Sequence, residues 1–113
     1  MGIICFVDRD GAEIDVPISR FLLSSLVDEA QRIGRNSSVW REILELFTVN
    51  WQVLYVSKMP IVIQQEFAEG LSQIVKTMRT KDEFHGFNKN EVTELLTKLI
   101  TNTRAHVQSL RAQ

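Results

Sequence analysis

Apolar residues enter the chain as a short continuous run, Ile3 to Val7, and return after the polar cluster Asp8-Arg9-Asp10-Gly11 as an alternation, Glu13-Ile14-Asp15-Val16. A run, a turn-forming cluster and a period-two alternation predict a β-hairpin at the start of the chain. Pro17 cannot donate to a sheet ladder and suits a helix entrance, so the second strand is expected to end near Val16. From Ile18 the period changes. Ile18, Phe21, Leu22, Leu26, Ala30 and Ile33 fall at the three-and-four spacing of one helix face, with Gly34 as a left-handed stop.

Asn36, Ser37 and Ser38 offer capping oxygens to a second helix, whose Trp40, Ile43, Leu44, Phe47 and Trp51 share a face. Trp51, Val53 and Tyr55 also alternate with Gln52 and Leu54, so residues 51–56 are compatible with a third short strand as well as with helix. Pro60 opens a third helix with Ile63, Phe67, Leu71, Ile74, Val75 and Met78 on its apolar face; Gly70 lowers its propensity slightly. Residues 80–87 read as a polar loop. Asn88 with Glu91 three residues on is a capping-box signal, and Phe87 with Val92 has the spacing of a hydrophobic staple. The last helix starts firmly with Val92, Leu95, Leu96 and Leu99, but Thr101, Asn102, Thr103 and His106 dilute its face before Val107 and Leu110, so its second half is expected to be less buried.

These elements define an α+β fold, an N-terminal β-hairpin packed against about four α-helices, expected as one globular domain over residues 1–113. The composition agrees: 44% hydrophobic and 24% charged residues make a core, not a disordered segment. Thirteen Lys and Arg against fourteen Asp and Glu leave a formal charge of -1, which argues against nonspecific binding to nucleic acid or anionic membrane. The longest apolar stretch, around residues 47–56, is interrupted by Asn50 and Gln52 and is too short for a membrane span. Cys5 is the sole cysteine, and it makes no zinc set with His85 and His106 at these separations; a reducing, cytoplasmic compartment and no cofactor are expected.

Ile3 to Gly11, an apolar strand ending in Asp8-Arg9-Asp10-Gly11, resembles the opening motif of haloacid-dehalogenase-type phosphatases. That resemblance implies a nucleophile at Asp8, a general acid at Asp10 and magnesium held by the carboxylates. The chain departs from it at Ala12 and Glu13, offers no convincing downstream lysine or acidic pair, and is short for that fold. An acidic exposed turn accounts for the same residues. Ala12 and Glu13 also break a calcium-loop reading.

From Ile4 to about Thr48 the chain resembles the BTB/POZ family of adaptors: Asp10-Gly11 followed by Ile14 and Val16 for the hairpin, Ser24 in the next helix, and Trp40-Arg41-Glu42-Ile43-Leu44 in a later one. The resemblance implies an adaptor function. It does not extend to residues 59–113.

The aromatic series Trp40, Phe47, Trp51 and Tyr55 at helical spacing suits core packing better than an exposed anchor patch. Phe84-His85-Gly86-Phe87 places aromatics and a histidine in polar surroundings, where loops carry binding, although local packing explains them too. Charge is uneven: Asp8, Asp10, Glu13 and Asp15 surround Arg9, whereas Lys98, Arg104 and Arg111 stand unopposed after Glu94. Those basic residues also complement the dipole of the last helix.

With no glycine-rich phosphate cradle, serine elbow or diagnostic histidine-carboxylate spacing, the sequence favours a non-enzymatic protein-binding module: an adaptor, a regulatory subunit or an immunity-type inhibitor of a partner protein. Its expected contact residues are Asp8, Asp10, Glu13, Phe84, His85, Arg104 and Arg111. One alternative is a nucleic-acid-associated protein using Lys76, Arg79, Lys81, Lys98, Arg104 and Arg111. Another is a metal-dependent phosphatase-like enzyme using Asp8 and Asp10. A last helix whose apolar face thins out also suggests a homodimer.

Overall fold

The structure, a computed structural model, describes residues 2–7, 13–35, 38, 40–42 and 53–112. It is an α+β fold. Strands β1 (Gly2–Val7) and β2 (Glu13–Ile18) form the expected antiparallel hairpin, registered from Gly2 opposite Ile18 to Val7 opposite Glu13. Within the ambiguous stretch Val53–Tyr55 is a strand, β3: it lies parallel to β1, with Ile4 opposite Leu54, and gives the order β2-β1-β3, while residues 51 and 52 lie outside the described residues. A parallel neighbour requires a long crossover, and here residues 19–52 supply it.

The second strand is longer than the proline signal implied. Pro17 stands inside β2, opposite Ile3, and the strand runs to Ile18. It is tolerated because β2 is an edge strand, where a missing N–H costs no ladder bond on the open side. Val16 and Ile18 are buried and Pro17 between them is exposed, as the strand period requires.

Helix α1 (Arg20–Arg32) therefore starts two residues later than the apolar spacing suggested, with Ser19 accepting a hydrogen bond from the Leu22 N–H at 3.1 Å. Because Ile18 belongs to the strand, counting the helix face from it misplaces Phe21, which is 82% exposed. The true buried stripe is Leu22, Leu23, Leu26, Val27 and Ala30. Gly34 does end the helix, at φ +75°. Its N–H bonds the Gln31 carbonyl while the Arg35 N–H bonds that of Ala30, the paired arrangement of a Schellman stop. Arg35 then turns onto the next long helix. Its guanidinium meets the Glu66 carboxylate at 2.6 and 3.0 Å and donates to the Gln73 amide oxygen at 3.2 Å.

Residues 40–42 are helical, and Trp40 is fully buried. Phe47, Trp51 and the rest of the expected second helix lie outside the described residues. After a 3-10 turn (Val56–Lys58), α2 (Ile61–Met78) buries Phe67, Leu71, Ile74 and Met78, with Ile63 and Val75 half-buried beside them.

The stretch read as a polar loop is a small hairpin, β4 (Glu83–Phe84) paired with β5 (Phe87–Asn88). His85 at φ +48° and Gly86 at φ +85° put both central residues in the left-handed region, the geometry of a two-residue hairpin turn. Asn88 caps α3 (Lys89–Arg111), accepting from the Glu91 N–H at 3.1 Å. Phe87 and Val92 both join the core.

This hairpin folds α3 back along α2, so that His106 near the end of one reaches Gln64 near the start of the other. The second half of α3, expected to be less buried than the first, still contributes to the core. Thr103, His106 and Val107 are buried there, with His106 against Gln64 of α2. Among the described residues, no helix is long and apolar enough to cross a membrane.

Candidate functional site

Two of the seven expected contact residues converge. Arg104 and Arg111 are seven residues apart on α3, so two turns return them to one face about 10 Å apart along the axis. Both line a groove of about 330 Å³ between α2 and α3. Gln65 and Gln108 contribute amides, and the buried Ala68 and Val107 close its floor, only 2% and 6% exposed. The Arg104 guanidinium donates to the Glu69 carboxylate at 2.9 Å, a pair more than half exposed on both sides and so weakly held. Arg111 makes no ion pair among the described residues.

Neither Lys98 nor Lys81 extends this face. Lys98 lies six residues before Arg104, about 120° away around the helix. Lys81 stands 3.9 Å from the Glu29 carboxylate, where its charge is partly offset.

A second constellation joins α1 to the β4–β5 hairpin through a buried carboxylate. Glu29 is 3% exposed and is held by Arg32, whose Nε donates at 3.1 Å and whose Nη2 contacts the same oxygen. The His85 Nε2 stands 3.3 Å from its other oxygen. The Arg32 hydrogen bond outweighs the effect of burial, and with help from His85 and Lys81 it lowers the Glu29 carboxyl to about 2. A carboxylate so stabilised is a poor base at neutral pH, and it serves to fasten the hairpin to the helix. Phe84, expected as a surface contact, is only 2% exposed; its ring packs edge-on to His85 at 4.6 Å between centroids. Strand alternation points Phe84 into the core and leaves His85 at the turn.

Glu13 opens β2. Asp8 and Asp10 lie outside the described residues, as does the turn that carries the phosphatase-like and calcium-like readings. Among the described residues no group of three or more His, Cys, Asp or Glu side chains is placed to hold a metal ion.

Sequence reasoning missed Glu29 and Gln64, although each carried a signal. Glu29 falls between Leu26 and Ala30 on an apolar stripe, and Gln64 stands three residues before Phe67 on another. A polar residue on a buried face requires partners, and their identity depended on tertiary contacts spanning 56 and 42 residues. No protein family, curated protein or solved structure matched the chain.

Proposed function

We propose that this chain is a non-enzymatic protein-binding module, an adaptor, regulatory subunit or neutralising inhibitor, that engages its partner through the α2–α3 groove. The observation that carries the reading is the convergence of Arg104 and Arg111 on one open groove between α2 and α3. Arginines along a groove suit a recognition surface, since Arg combines charge, planar donors and a stem that packs.

The His85–Glu29 contact favours the same conclusion. Its carboxylate is committed to Arg32 and its histidine to holding a turn, so the pair has a structural task.

The test is affinity capture from the native cell with three versions of the chain: wild type, Arg104→Ala/Arg111→Ala, and Asp8→Asn/Asp10→Asn. A partner retained by the wild type and by the Asp variant but lost with the Arg pair supports the groove. A partner lost only with the Asp pair moves the contact to the hairpin turn. Capture indifferent to both changes ends this reading.

A further inference from the structure

We draw no further inference here: the strongest candidate, the open groove between α2 and α3 where Arg104 and Arg111 stand beside Glu69 over a buried floor, belongs to the site already described, and nothing in the structure shows what covers it.

Discussion

The Nδ1 of His106 lies 2.9 Å from the Oε1 of Gln64, in the buried interface between α2 and α3. The Gln64 amide nitrogen donates to the carbonyls of Met59 at 2.7 Å and Ser57 at 3.3 Å, so its oxygen is the atom turned to the ring. An amide oxygen only accepts. His106 must therefore carry its proton on Nδ1, and the pair fixes the tautomer while tying two helices and the 3-10 turn together.

Stability should fall on mild acidification because of this histidine. Burial lowers the His106 imidazole from its ordinary value of 6.5, so below pH 6.5 the unfolded chain binds a proton that the folded chain resists. The contribution is fully present above pH 6.5 and declines as the pH drops below it. Urea unfolding of wild type and His106→Asn between pH 8 and pH 5.5 should show a steeper loss in the wild type. Identical slopes would mean that His106 does not titrate between the two states. Gln64→Leu should be the more damaging change at pH 8. It strands the imidazole N–H, worth about 1–3 kcal/mol when buried without a partner, and removes the donor to two part-buried carbonyls.

A separate acid limb should come from Glu29. Its carboxyl is lowered from 4.5 to about 2 in the folded state, so the stability it supplies is present above pH 4.5 and disappears as the pH falls towards 2. Because solvent screens the half-exposed Arg32 and Lys81, the effect should be discounted to the order of 2 kcal/mol. Glu29→Gln should lower the melting temperature at pH 7 and remove most of the difference between wild type and variant by pH 2.5. A difference that persists undiminished at that pH would assign the loss to packing and not to charge.

The two hairpin residues that looked alike in sequence should separate under mutation. Phe84→Ala removes a buried ring and should destabilise the fold by about 3–5 kcal/mol, visible in a thermal melt whatever the partner. His85→Ala removes a half-exposed ring that makes one contact to Glu29 and should cost less than 1.5 kcal/mol. The reverse order would place Phe84 outside the core.

Local pattern was enough for elements whose signals are local. The N-terminal hairpin, the Gly34 stop, the Asn88 cap and the α2 face were all legible because each depends on residues within a turn or two of one another. What misled was the junction at Pro17. An edge strand tolerates proline, and nothing in the sequence says which strand is the edge until β3 is seen to pair with β1 on the other side. That error moved the helix phase and put Phe21 on the wrong face. The burial of His106 in the second half of α3 was hidden for a different reason. The residue looks like dilution until Gln64, 42 residues earlier, supplies a partner. The candidate groove was half visible: Arg104 and Arg111 stood out as basic residues, but the small Ala68 that leaves room beside them carries no signal of its own.

Gly70 offers the sharpest test of the packing. In the sequence it reads as a weak helix position, and in isolation Gly70→Ala should stabilise α2 by about 1 kcal/mol. In the fold, the added Cβ would stand 2.5 Å from the Trp40 six-membered ring, closer than any such contact allows. Trp40 has little freedom to retreat: it is fully buried and tilted against Phe67 at 5.6 Å between ring centroids. Overpacking of this kind costs about 1–3 kcal/mol, which outweighs the propensity gain, so Gly70→Ala should destabilise the chain. A smaller ring makes the space, so in a Trp40→Phe background the same substitution should become nearly neutral or favourable. The coupling between the two changes, read from a double-mutant cycle of unfolding free energies, should exceed about 1 kcal/mol. Strict additivity would mean that Trp40 does not lie over Gly70.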